Sequence, residues 1–231
     1  MFRMRRSRSR HSTDPDCQTD DKHKKDFDLE VVRRGFADCL TEDGTVKLRE
    51  YLDAFTELSR LFKLAGKIFR IIAKDLDHRI ATIRRYMSSE VDGDRYVTVQ
   101  SMLEYEIGHN IAHKNGRCQS GTRTLLRLQM ALEFTIDFLK ELSQCHDQTN
   151  VRRIASTVYK RTLAKHQSTS TRRLAAGVVI FLPKRRRLIE SLCKQEPDQV
   201  LVLIGQVVQV ATPVYEKVDE LYRSKDLLDK P

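Results

Sequence analysis

Five polar side chains are of types that could bind an anion or another polar group: Asp75, Arg79, Arg123, Arg127 and His166. Guanidinium groups offer planar, paired donors that match phosphate oxygens. A carboxylate and an imidazole can accept from and donate to an amide. The interest of these residues lies in where the hydrophobic pattern puts them, because a polar residue on an apolar face needs a reason to be there.

The spacing predicts a helix over residues 67–87. At about 100° per residue, Ile68, Ile71, Ile72, Leu76, Ile80 and Ile83 fall on one broad arc. Asp75 and Arg79 lie inside that arc, four residues apart and so on one face. A surface ion pair of this kind is worth roughly 0.3–0.5 kcal/mol. A buried one costs several kcal/mol to desolvate. The arc predicts burial; on the residues alone, a structural and a functional pair both remain open.

A second helix, predicted over 123–143, repeats the anomaly. Leu126, Met130, Phe134 and Phe138 make one arc, and Arg123 and Arg127 lie within it. Leu125, Leu128, Leu132 and Leu139 make an opposite apolar face. A helix apolar on two sides is expected at the centre of a fold. Two Arg one turn apart there suit an anion, although an Arg near a helix start can also reach back to solvent. His166 is expected at the end of a helix over 150–166. Taken by itself, it is as readily a structural histidine.

The elements that must position these residues read as helices throughout. Only nine Gly and five Pro occur in 231 residues, too few for a strand-and-turn architecture. Further helices fit 45–64, 96–114, 171–182, 184–194 and 198–224, and an earlier one ends by Gly44. A DGD turn sits at 92–94 and a loop at 115–122. Pro183 and Pro197 mark breaks. The apolar run at 200–210 is too short to span a bilayer. Residues 1–26 are polar and basic, and a disordered tail is expected there, with one domain over 27–231.

The net charge of +10 favours acidic partners, and five of the ten excess charges sit on Arg residues of the first ten positions. The run Lys184, Arg185, Arg186 and Arg187 reads either as a solvated helix start or as a docking patch for anionic lipid. Five scattered Cys without a CxxC motif give no disulfide framework and no zinc site, so a reducing, cytosolic setting is expected, with no metal or cofactor. His109 and His113 lack the HExxH context of a metal site. No phosphate-binding Gly loop or nucleophile elbow is present, and no enzyme is expected.

Several stretches carry a family likeness: YLDAFTELSRLFKLAGKIFRIIAKDLDHRI (51–80), YVTVQSMLEYEI (96–107), SGTRTLLRL (120–128), His166 and VYEKVDELYRSKDLLDKP (214–231). Over residues 28–231 the chain resembles the glycolipid transfer protein superfamily, most closely its ceramide-1-phosphate transfer branch. The resemblance implies a two-layer all-α sandwich enclosing a hydrophobic lipid pocket. It implies that Arg79, Arg123 and Arg127 contact a lipid phosphate, and that Asp75 and His166 bind the sphingolipid amide. It implies non-enzymatic transfer of ceramide 1-phosphate or a related phosphosphingolipid, by a monomer visiting anionic membrane surfaces. Sugar-binding members carry Asn one turn after the aspartate and a Trp platform. This chain has Arg79 there and no Trp, so a phosphate is favoured over a sugar. Ser168 stands where the family usually has Trp. Two other readings compete: a lipid-phosphate sensor or scaffold without net transfer, and a basic helical nucleic-acid binder, which would place its Arg and Lys on exposed faces.

Overall fold

In the computed structural model, residues 27–114, 119–146 and 149–228 are described, and the basic tail expected over residues 1–26 lies outside them. Among the described residues the chain is helical, apart from isolated bridges such as Leu40 to Val46 and Lys47 to Thr98. Nine α-helices follow in order: α1 (Leu29–Cys39), α2 (Leu48–Leu64), α3 (Arg70–Met87), α4 (Val99–Gly108), α5 (Gly121–Gln144), α6 (Val151–Arg161), α7 (Thr169–Val179), α8 (Arg185–Leu192) and α9 (Pro197–Ser224). They pack as a two-layer sandwich. α1, α2, α3, α5 and α9 form a circuit in which each touches the next, and α6 leans on the outside of α5.

The interior of that circuit is filled by the apolar stripes read in the sequence. Leu48, Tyr51, Leu52 and Phe55 of α2 are buried, as are Leu125, Leu128 and Leu132 of α5. Phe36, Tyr51 and Phe55 form a ring cluster, with Tyr51 stacked on Phe55 at 5.1 Å and Phe36 edge-on to both. Gly44 takes φ +81° in the turn between α1 and α2, a conformation that a side chain would strain.

Several predicted elements are shorter than the periodicity suggested. α4 begins one residue after Thr98, whose side chain accepts from the Ser101 amide in a capping box, and it stops at Gly108 rather than 114. The DGD turn is the start of a 3-10 turn, Gly93–Tyr96. The helix expected over 150–166 ends at Arg161. Thr162 turns its hydroxyl back onto the Val158 carbonyl and leaves helical geometry, and Leu163–His166 form a separate 3-10 turn. Pro197 opens α9 instead of breaking a helix, since its missing N–H costs nothing in the first turn. No described helix is long and apolar enough to cross a membrane.

The start of α5 is the most elaborately fixed point. The Glu106 carboxylate is fully buried and faces the helix N-terminus. Its Oε1 accepts from the Gly121 amide at 2.7 Å and from the Tyr96 hydroxyl at 3.0 Å, and its Oε2 accepts from the Thr122 amide at 2.8 Å. Amides that have no partner within a helix are thereby satisfied, and the negative charge sits at the positive end of the helix dipole. Burial, and then Glu106 itself, push the Tyr96 hydroxyl up, so it remains a donor. Ser120 caps the Arg123 amide and donates to the Ala112 carbonyl at 2.7 Å. Tyr222 of α9 donates to the Thr122 carbonyl at 2.6 Å. Gly121 allows this closeness: a Cβ there would lie 2.7 Å from Met102 Sδ. Farther along, Gln129 donates to the Tyr215 carbonyl and accepts from the Tyr51 hydroxyl.

Replacing Glu106 removes three acceptor contacts and leaves two buried amides unpaired. Glu106→Ala is expected to destabilise the fold by about 3 kcal/mol, measured by urea unfolding. A loss of about 0.5 kcal/mol or less, the level of an exposed site, would show that this carboxylate does not anchor α5.

Candidate functional site

α3 packs against α5, and their facing sides bring four of the five candidate residues together. On α3, Arg79 grips Asp75 in a two-pronged pair: Nε donates to Oδ2 at 2.8 Å and Nη2 to Oδ1 at 2.7 Å. On α5, Arg123 and Arg127 project one turn apart from the helix start that Glu106 fixes. Arg123 is buried, and its Nε has no hydrogen-bond partner. Among the described residues neither Arg123 nor Arg127 has a carboxylate within ion-pair distance. Burial holds Arg127 below the usual guanidinium range, followed by the like charges of Arg79 and Arg123; Asp75 opposes the shift. Three cations therefore converge, and the one carboxylate acting on Arg127 is committed to Arg79.

The expectation that Asp75 is buried is corrected. Its side chain is 56% exposed, whereas that of Arg79 is 15% exposed. The buried part of α3 is Ala73, Leu76, Ile80 and Ile83; Ile71 is exposed, and Ile72 is half-buried. The covered part of the arc is narrower than the pattern suggested: Phe69 and Ala73 are buried at the start of α3, whereas Ile71 and Asp75, four residues apart, lie at the arc's open edge. Asp75 therefore borders solvent, on a face that also shows Ile71 to water. It is a surface-facing acceptor beside a buried cation cluster.

His166 lies half-buried on the 3-10 turn that packs against α5. Burial first, and then Lys165, lower its pKa, so at neutral pH the ring is uncharged, with one nitrogen to donate and one to accept. No hydrogen bond or ion pair joins His166 to the other four among the described residues. The basic run divides. Lys184, Arg186 and Arg187 are exposed, but Arg185 is buried and its Nε donates to the Leu142 carbonyl at 3.0 Å near the end of α5. Arg185 is thus a structural tie from α8 to α5, and its place in a docking patch is corrected on that ground. His109 and His113 are exposed.

Glu106 escaped the sequence reading, although a signal was there. Val99, Met102, Leu103 and Glu106 follow the i, i+3, i+4, i+7 spacing of one buried face, and all four are buried. A carboxylate completing such a stripe, ahead of a helix that starts Ser-Gly-Thr-Arg, fits an N-terminal anchor.

From the arrangement follows a chemical capacity. Hydrogen-bond donors and positive charge are concentrated where water is limited, and a single carboxylate, held by Arg79, lies at their edge. An anion with several oxygens would satisfy the donors and offset the mutual repulsion. No grouping of His, Cys, Asp and Glu able to hold a metal is found among the described residues.

Known proteins share this fold. Residues 46–194 match the family model of the glycolipid transfer protein. The mouse ceramide-1-phosphate transfer protein is 30% identical over 216 residues, covering 91% of this chain and all of its own length. The crystal structure of the apo form of that mouse protein superposes with a TM-score of 0.82 over 89% of this chain. The human ceramide-1-phosphate transfer protein in complex with 2:0 ceramide-1-phosphate superposes equally well, at 0.82 and 27% identity, covering 89% of this chain and 99% of its own. The chain belongs to the glycolipid transfer protein family.

Proposed function

We propose that this protein carries ceramide 1-phosphate, or a closely related phosphosphingolipid, between membranes without breaking a bond. The observation that carries the proposal is the buried, unpartnered Arg123 Nε beside Arg127 and Arg79. Leaving a buried charge without a partner costs far more than a fold would tolerate for no purpose. A lipid phosphate supplies the missing charge and acceptors. In this reading Arg79, Arg123 and Arg127 bind the phosphate, and Asp75 and His166 take the amide and hydroxyl of the sphingoid. The exposure of Asp75 suits that task, because the headgroup end of the lipid enters from the surface. When the phosphate takes over Arg79, the Asp75 oxygens are released to accept from the amide.

The apolar part of the ligand has a matching track. On the same face of α5 as the two Arg, Met130, Phe134 and Phe138 are half-buried, and the rings of the last two stack at 5.8 Å. From residue 123 to residue 138 this stripe is about 22 Å long. Charged donors at one end and partly covered apolar surface behind them is the layout of a receptor for an amphiphile. Each CH₂ kept from water is worth about 0.8 kcal/mol, so enclosing the chains supplies most of the energy of extraction. The Arg cluster supplies the choice of headgroup. A nucleic-acid role is disfavoured because Arg123 is buried and Arg79 and Arg127 are half-buried, whereas a duplex needs its cations on an exposed face. The proposal includes a monomer that works from the cytosol, docks transiently on anionic membranes through Lys184, Arg186, Arg187 and the basic tail, and leaves with one lipid. The free thiols of Cys39, Cys145 and Cys193 suit that compartment.

Two substitutions test the assignment. Arg127→Leu is expected to fold, since it relieves repulsion among cations, and to lose ceramide 1-phosphate binding by about 2–5 kcal/mol, which abolishes vesicle-to-vesicle transfer. The lipid at about a hundred times its Kd should stabilise the parent protein by about 2.7 kcal/mol and leave the variant unmoved. Normal transfer by Arg127→Leu would remove the phosphate-clamp assignment. Asp75→Val is expected to keep the melting temperature within about 2 °C, because the Asp75 side chain is itself largely exposed, while transfer is lost. An unchanged rate would make Asp75 a structural partner of Arg79 only.

A further inference from the structure

Arg123 and Arg127 stand on one helix, so their separation of about 6 Å along its axis follows from helix geometry alone. Arg79 comes from another helix. Its distance from the other two is fixed only by what holds α3 against α5. Most polar ties of α3 run the other way, to α2. The Ser59 hydroxyl and Lys63 Nζ donate to Asp77 at 2.6 and 3.1 Å, and Arg84 donates to Asp53 at 2.6 Å and to Thr56 at 3.1 Å. Among the described residues, the only hydrogen bond from α3 to the α5 segment is made by the Tyr86 hydroxyl, which donates to the Gln119 carbonyl at 2.7 Å.

Tyr86 is suitably placed along both helices. It lies seven residues, two turns, after Arg79, and so on the face of α3 that bears Arg79 and Asp75. Gln119 immediately precedes the Ser120 cap of α5 and lies four residues before Arg123. The tyrosine is also braced. Its ring stacks on Tyr96 at 5.1 Å with 23° between the planes, and the Arg85 guanidinium lies 5.5 Å from its centroid. Tyr96 in turn donates to Glu106, the carboxylate that holds the Gly121 and Thr122 amides. The backbone beside it leaves little slack: a Cβ on Gly93 would lie 2.7 Å from the carbonyl oxygen of Met87, the residue after Tyr86. One side chain of α3 thus reaches the start of α5 by two routes, directly through Gln119 and through Tyr96 and Glu106.

We infer that Tyr86 is a positioning residue for the phosphate clamp: it fixes the separation of Arg79 from Arg123 and Arg127, and so whether one phosphate can meet all three guanidinium groups. Like charges on facing helices repel, and donors of a binding site need to be held to within about 0.5 Å. A tie between the two helices, beside the cluster but outside it, meets both demands. The inference rests on the reading of the cluster as a phosphate site. Tyr86 acts through the two helices and is not itself a ligand of the phosphate.

The test is a 31P NMR pH titration of ceramide 1-phosphate with a short acyl chain bound to the full chain, with affinity measured by calorimetry alongside. In the parent protein the three cations are expected to hold the second ionisation of the bound phosphate below about 5, against about 6 for a free phosphate monoester. Tyr86→Phe keeps the ring and removes only the tie to Gln119. It should weaken binding at neutral pH about three- to tenfold, and raise the pKa of the bound phosphate by about 0.5 or more. Tyr51→Phe is the control. It deletes another buried hydroxyl that donates, to Gln129 Oε1 at 3.1 Å, on a different face of α5 from Arg123 and Arg127. It should lower the melting temperature at least as much as Tyr86→Phe does, and leave the phosphate titration at the parent's position. A Tyr86→Phe protein with the parent's phosphate titration would overturn the inference. So would an equal shift in Tyr51→Phe, which would mark the effect as general loosening. If the parent protein bound no ceramide 1-phosphate, or bound it without lowering its phosphate pKa, the clamp reading itself would fall, and the inference with it.

Discussion

Like charges held together away from water set the terms for the rest of this molecule. Arg123, Arg127 and Arg79 are on facing sides of α5 and α3, and one carboxylate, already gripped by Arg79, faces them. Such an arrangement repels itself and would pull its helices apart if they were loosely held. The counterweight is the α5 start, where Glu106, Ser120, Tyr96 and Tyr222 tie the backbone of the Arg-bearing turn to three other elements. The burial of a carboxylate at a helix N-terminus and the burial of cations one turn later are two parts of one device. The first holds rigid what the second needs in order to bind an anion with preorganised donors.

This division of labour explains why the ligand's two halves are handled by different physics. The apolar track on α5 can accept many chain shapes, since hydrophobic burial is non-directional and scales with area. The guanidinium cluster is directional and specific, because buried donors left without acceptors penalise every headgroup that does not supply them. On the proposed function, selectivity for a phosphate over a neutral sugar needs no extra element. It follows from the desolvated cations and from the lack of any indole platform in the chain.

Much of this could be read in the sequence, for a physical reason. Arg123 and Arg127 stood out because helical periodicity is strong on a central helix, where both faces are covered and any polar residue is anomalous. Asp75 was read as buried for the same reason, and wrongly. Periodicity shows which residues share a face of α3 but not how wide an arc of it the neighbouring helices cover, and here they cover Phe69, Ala73, Leu76, Ile80 and Ile83 but leave the edge bearing Ile71 and Asp75 open. Arg185 was misjudged in the opposite sense: its partner is the Leu142 carbonyl, forty-three residues away, which no local pattern reveals. Glu106 was hidden because α4 is only ten residues long, and a single carboxylate in a short mixed segment is easily taken for surface. The end of the helix before His166 depended on Thr162, whose hydroxyl competes with the backbone in a way that the spacing of apolar residues does not register.

The central claim is that the cation cluster selects a phosphate-bearing sphingolipid. Native mass spectrometry of the full chain after exposure to a mixed lipid extract tests it most directly, because the protein itself then makes the choice. The account predicts one bound lipid per chain, with a mass and fragmentation pattern containing phosphate and a sphingoid amide. A bound glycolipid or phosphate-free ceramide in its place would contradict it.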